Sequence, residues 1–372
     1  MDRSIAFLTE NAGPVIRLRV HRDLLGDLTF AKETLLQAEI DQLPLVKLLK
    51  TYVRPSGYIG TGMHSWDNWR GQVLHHTPLE DGENAARLLS YYCFPKEHPL
   101  VSGFVAALRD ESVLRETFSY IPPEKERFEN RFRGLNNANC LMALIYTVQA
   151  LLGFGDDYAD LRAFQQIALE GFRRLLQAES LEELTHLPSG TRRRYQYPYI
   201  EEDDFFPNSL TLSMLAYTQS WRTSNTVQMM ADAINHINRI MKADNNLHVR
   251  LGGRYIVPYA ALVRPIRAFR PDLVDTILYR RTLTEVAMLG VGRQAKVLCE
   301  TADNIRSAMD ERSVLQMRFD LPHNRRYSPK ALHYPGPYTD LKLENGKDQR
   351  ALDCDLTFWA VECLHLIENG AI

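Results

Sequence analysis

Nothing in this 372-residue chain amounts to a run of roughly 18 apolar residues, so no segment is expected to cross a bilayer. Cysteine is scarce. Five are scattered (Cys93, Cys140, Cys299, Cys354, Cys363), an odd number mostly inside apolar stretches, which fits reduced thiols better than a disulfide framework and points to the cytoplasm. Charge of one sign is also missing. With 44 Lys plus Arg against 46 Asp plus Glu, the net charge of -2 gives no field to attract nucleic acid or an anionic membrane. Alternation of period two never extends beyond about four residues, so strands are not expected. The opening Met1-Asp2-Arg3-Ser4 leads into a short amphipathic segment without the apolar core and small-residue site of a signal peptide.

What the chain does have is helical periodicity, repeated. Hydrophobic residues make up 45% and charged residues 24%, enough to bury a large core. Helices are predicted over about Pro14 to Leu25, stopped by Gly26, then Thr29 to Ile40 and Pro44 to Val53. Further ones are predicted at Glu80 to Tyr92, His98 to Leu108, Asn136 to Leu152 and Asp160 to Ala178. The series continues at Pro207 to Trp221, Asn225 to Met241, Pro258 to Phe269, Pro271 to Leu289, Gln294 to Met317 and Leu356 to Ile367.

Two helix types alternate. Cys140 to Tyr146 and Leu210 to Tyr217 are small and apolar nearly all round, whereas Leu161 to Leu176 turns Arg162, Gln166, Glu170 and Arg173 to one side. Inner helices wrapped by outer ones satisfy that alternation. Starts of the inner type near Glu80, Asn136, Phe206, Pro258 and Asp353 give a repeat in the range of helical repeat units. The fold class expected is all-α, an α/α toroid of about five or six hairpins, with residues 1–372 as one domain and 1–40 a possible helical extension packed on it.

Four features carry a resemblance: Pro14-Val15-Ile16-Arg17-Leu18-Arg19-Val20, the turn Ser56-Gly57-Tyr58, Cys140-Leu141-Met142-Ala143-Leu144 followed by Leu152-Gly153-Phe154-Gly155-Asp156-Asp157, and the terminal acidic segment. Together they make the chain similar to the α/α-toroid superfamily of terpenoid cyclases, such as squalene cyclases, and protein prenyltransferases, in particular its small single-domain bacterial relatives. The resemblance implies a central cavity that opens where inner helices start. Asp353-Cys354-Asp355-Leu356-Thr357 resembles the acid motif of class II terpenoid cyclases, which implies Asp355 as the acid with Asp353 and Thr357 orienting it. Protonating an alkene needs a neutral carboxylic acid in a dry pocket. The same residues, at a helix start, read equally as caps.

Around the implied mouth, Arg133, Asn139, Tyr199, Asp203, Asp204 and Trp66 are the candidate substrate-binding residues. Asp156, Asp157 and Asp160 match the aspartate-rich motif of class I terpene synthases, which would hold Mg2+ against a diphosphate; helix capping selects the same residues, and otherwise no cofactor is expected. Asp355, Cys363 and His365 lie on one helix but diverge around it, unlike a zinc site. The function expected is a terpenoid-cyclase-like enzyme acting on an isoprenoid or polyene. Two alternatives stand beside it: a carbohydrate-active toroid enzyme, glycosidase or polysaccharide lyase, and a non-catalytic toroid that binds a small molecule or peptide.

Overall fold

The computed structural model describes residues 1–63, 78–117, 141–188, 197–201, 204, 206–242, 247–251, 254–256, 262, 264–273, 279–317, 333–334, 340–344, 346 and 348–370. Helix dominates them. In chain order the helices are α1 (Asp2–Asn11), α2 (Pro14–Arg19), α3 (Phe30–Asp41), α4 (Pro44–Thr51), α5 (Gly82–Tyr91), α6 (Pro99–Arg109), α7 (Glu111–Thr117) and α8 (Leu141–Leu151). They continue with α9 (Ala159–Gln177), α10 (Ser209–Ala216), α11 (Ser224–Ile240), α12 (Arg280–Val286), α13 (Lys296–Ala308) and α14 (Gln349–Asn369). After α2 the chain winds into a wider π-helical turn, Val20–Leu25, which Gly26 ends in the left-handed region at φ 63°.

The two helix types are present. α5, α8, α10, α12 and α14 are buried over nearly their whole described circumference, while α9 buries Leu161, Phe164, Ala168, Leu169, Phe172 and Leu175 and exposes Arg162, Gln166 and Glu170. The buried helices form a series in contact. α5 packs on α8, α8 on α10, α10 on α12 and α12 on α14; α9 lies against α8 and α10, α11 against α9, and α13 and α1 against α14. α10 and α14 each present opposite faces to two halves of the core. Leu210, Met214, Cys354 and Phe358 join the cluster built from α1 to α9; Leu212, Leu215, Leu352, Leu356 and Trp359 join the cluster that spans α9 to α14.

Helix starts follow the expected capping chemistry. Thr29, Asp81, Asn208, Thr223 and Asp348 each accept a hydrogen bond from a free first-turn amide, and at Asn208 and Thr223 the bond is reciprocated by Thr211 and Thr226. Asp348 shifts one boundary that matters. α14 begins at Gln349, so Asp353 and Asp355 lie in its second turn and do not cap it.

Two other expectations are corrected. Short strands exist: β1 (Tyr199–Glu201) runs parallel to β2 (His248–Leu251), which pairs antiparallel with β3 (Arg254–Ile256), and β4 (His333–Tyr334) pairs with β5 (Asp340–Leu341). Strands of two to four residues are too short for alternation to show in a sequence window. The helix expected from Pro258 to Phe269 is also absent among its described residues. There the backbone is satisfied from outside: Asn238 on α11 brackets Ile266, accepting from its amide at 2.7 Å and donating to its carbonyl at 3.1 Å, and Asn304 on α13 donates to the Phe269 carbonyl at 2.8 Å. The fourth buried helix is therefore α12, which starts at Arg280.

Candidate functional site

A cavity of about 510 Å³ opens where α5, α10, α12 and α14 meet the π-helical turn after α2. Its wall mixes charged, aromatic and aliphatic side chains. Arg19, Arg22, Lys96, Arg222, Arg280 and Arg281 line it with Asp23, Glu33, Glu285, Asp355 and Glu362, and Tyr91, Phe94, Tyr217, Phe358 and Trp359 stand among them.

Asp355 reaches this wall because position seven of α14 turns inward, where it is 1% exposed. Its Oδ2 accepts from Arg280 Nη1 at 2.8 Å and its Oδ1 from the Leu343 amide at 2.8 Å. Trp359, one turn on, donates from Nε1 to the Arg280 carbonyl at 3.3 Å and to Thr284 Oγ1 at 3.0 Å, which fixes α14 against the start of α12. Beside them, burial pushes the Lys342 ammonium down to about 8, a shift that Asp355 opposes. Burial also pushes the Glu344 carboxyl up to about 7 although it accepts from the Gly13 amide.

Arg19 anchors a second group. It donates to Glu362, three residues beyond Trp359 on α14, and from Nε to Asp23 at 3.1 Å, with its guanidinium carbon 4.9 Å from the centre of the Phe358 ring. Arg22 shares Asp23 at 2.5 Å. Burial pushes the Glu362 carboxyl up against the pull of Arg19; on Asp23 burial acts in the same sense, but Arg19 and Arg22 prevail and hold it below the usual range. The Cys93 thiol, buried beside these charges and held at φ 60°, is pushed up to about 11 and so remains a thiol near neutrality.

A third group ties three helices behind the wall. Arg87 on α5 is 0% exposed and donates to Glu83 Oε1 at 3.2 and 3.0 Å and to Glu285 Oε1 at 3.5 Å. Glu285 on α12 also accepts from Ser213 of α10 at 2.8 Å and from Arg281 at 3.1 Å, while Arg281 approaches Glu83 to 3.5 Å. Two guanidinium and two carboxylate groups thus balance in the interior.

Of the candidate catalytic, substrate-binding and aspartate-rich-motif residues, Asp355 alone lines this cavity among those described. Asp353, 8% exposed, accepts from Gln349 at 2.8 Å. Thr357 accepts from the Leu315 amide at 3.0 Å, a bond that serves the segment after α13 rather than Asp355. Tyr199 and Asp204 belong to a separate cluster at β1, where Asp204 accepts from the Glu201 amide at 2.8 Å, lies 3.0 Å from His186 Nε2, and Tyr199 meets Tyr255 edge-on at 5.0 Å. Trp66, Arg133, Asn139 and Asp203 lie outside the described residues.

The aspartate-rich motif is dispersed. Asp156 accepts from the Gln219 and Ser220 amides at 2.8 and 3.1 Å, Asp157 pairs with Lys96 at 2.9 Å and Asp160 with Arg109 at 3.2 Å. The three carboxylates serve three different partners, and no group of three potential metal-ligating side chains is present among the described residues.

The charged wall was missed because its members are distant in sequence and look like ordinary surface charges. Its signal was there: Glu83 and Arg87, Arg281 and Glu285, and Glu362 each sit inside otherwise apolar helices, where an unpaired charge would be prohibitive. Compared with known proteins, the chain matches no family model, no curated protein and no solved structure.

Proposed function

We propose that this chain is an α/α toroid whose hollow takes a small, polar, hydroxylated molecule of the carbohydrate class. The toroid reading is supported by five buried helices, each packed on the next, and by the contact of β5, just before α14, with α5 at the other end of the series. The observation that carries the ligand class is the wall itself, in which planar charged groups alternate with aromatic rings. Guanidinium and carboxylate groups match sugar hydroxyls, and aromatic faces match the apolar side of a sugar ring. About 510 Å³ suits such a ligand.

The cyclase reading has one favouring observation, that Asp355 faces the cavity. Both of its oxygens, however, already accept hydrogen bonds, one from Arg280 and the other from the Leu343 amide. Asp355 and Glu362 supply the paired carboxylates that glycoside hydrolysis uses. Seven residues apart on one helix, they share a face at an axial separation of about 10 Å, near the wide spacing of inverting enzymes.

Calorimetric titration with neutral and acidic mono- and disaccharides, and in parallel with farnesyl diphosphate and squalene, separates the two readings. Saturable sugar binding is expected, weakened at least tenfold when Met288 on the wall is replaced by Trp to fill the space. Saturation by an isoprenoid with no response to any sugar would overturn the proposal.

A further inference from the structure

The cations around the hollow pair with carboxylates, with one exception. Arg19, Arg22, Lys96, Arg280 and Arg281 each lie within ion-pair distance of a carboxylate. Arg222 does not. It follows the turn after α10, and its described hydrogen bonds go to backbone carbonyls: Nε to Thr218 at 3.0 Å and Nη2 to Ala216 at 3.0 Å. Those bonds close the C-terminal end of α10 and fix the guanidinium, whose carbon lies 5.5 Å from the Trp221 ring centre. Nη1 makes no hydrogen bond among the described residues, and the side chain lines the cavity.

A guanidinium held rigidly by carbonyls and partly withdrawn from water, with no carboxylate within ion-pair distance among the described residues, is a pre-organised receptor for an oxyanion. Burial pulls Arg222 down to about 10 against the opposing field of Asp156, which leaves it charged at neutral pH. Among the lining side chains, six cations face five anions, so the wall carries one positive charge in surplus.

We infer that Arg222 is the docking point for an oxyanion on the ligand, so that the hollow selects acidic sugars, uronates or sugar phosphates, over neutral ones. This rests on the polar-ligand reading above. Geometry favours a group that meets the outer edge of the guanidinium while the ring of the sugar lies toward Tyr217 and the α14 aromatics. The bond between Arg222 and α10 stays in place, so binding requires no rearrangement of the helix end.

The test compares galacturonate, galactose and galactose 6-phosphate by calorimetry on the intact chain, first unsubstituted and then as Arg222→Gln and Arg222→Lys. The unsubstituted chain is expected to bind at least one acidic sugar about tenfold or more tightly than galactose, and its affinity for that sugar to fall with added salt. Arg222→Gln should remove the preference, so that the acidic sugar binds no more tightly than galactose does to the same variant; Arg222→Lys should keep part of it. Which acidic probe is preferred tells a uronate site from a phosphate site. Equal affinity for galactose and both acids, or a preference that survives Arg222→Gln, overturns the inference alone. Silence toward all three defeats the polar-ligand reading with it. Because the preference is first measured without any substitution, a variant that fails to fold does not remove the test.

Discussion

Replacing Arg87 by Met puts a number on the interior charge balance. The side chain is 0% exposed and serves Glu83 and Glu285, which are 6% and 2% exposed. Without it, two buried carboxylates share the single guanidinium of Arg281, and one negative charge is left uncompensated in a region of low dielectric. Removing one partner of a buried ion pair costs about 3–5 kcal/mol, and methionine recovers some packing, so a loss of about 3–4 kcal/mol is expected. Adding Glu285→Gln to Arg87→Met restores neutrality, leaving Glu83 with Arg281. The double variant should therefore be more stable than the sum of the single changes predicts by about 2 kcal/mol. Urea unfolding followed by circular dichroism measures both quantities without screening the charges as guanidinium chloride would. Strict additivity, or a single-variant cost under about 1 kcal/mol, would refute the view that the quartet acts as a unit.

Asp355→Asn keeps the shape of the side chain but strips Arg280 of its counter-charge, and a loss of about 3 kcal/mol is expected in the same urea assay. The Glu344 carboxyl, raised to about 7 by burial, binds its proton more tightly in the folded chain than its ordinary value of 4.5 allows once unfolded. Its contribution is thus fully present below about pH 4.5 and is lost as pH rises through 7, by at most about 3 kcal/mol. The urea midpoint should fall between pH 5 and 8, and Glu344→Gln should flatten that fall. Gly60→Ala places a Cβ 2.0 Å from the Glu80 carbonyl at φ 90°, where neither atom can yield, and soluble expression should drop sharply. Thr357→Val leaves the buried Leu315 amide without its acceptor and should cost about 1–3 kcal/mol, read as a lowered melting temperature.

The helices that could be read from the sequence are those whose order is set locally. α3 and α11 fall within a residue or two of expectation because Thr29 and Thr223 cap them, and in α11 the apolar residues also keep to one face. α14, expected from Leu356, starts seven residues earlier because three acids, Asp348, Asp353 and Asp355, compete for the cap, and only Asp348 makes the cap bond. The segment around Ile266 was misread because its backbone partners are side chains on α11 and α13, which no local window contains. The same holds for the site. Arg87 and Glu285 are 198 positions apart and lose their identity as a pair when read along the chain. Asp355 was legible as a polar residue turned inward, whereas Arg280, which decides its electrostatic setting, falls mid-way along the helix expected from Pro271 to Leu289, where nothing local marks it as the partner.

The two-sided packing of α14 bears on how the chain assembles. Until residues 349–369 are in place, Leu8 and Leu18 on one side and Leu283 and Leu298 on the other lack the helix that packs between them. A truncation before Gln349 would leave that seam exposed to water, and a chain so shortened is expected to aggregate.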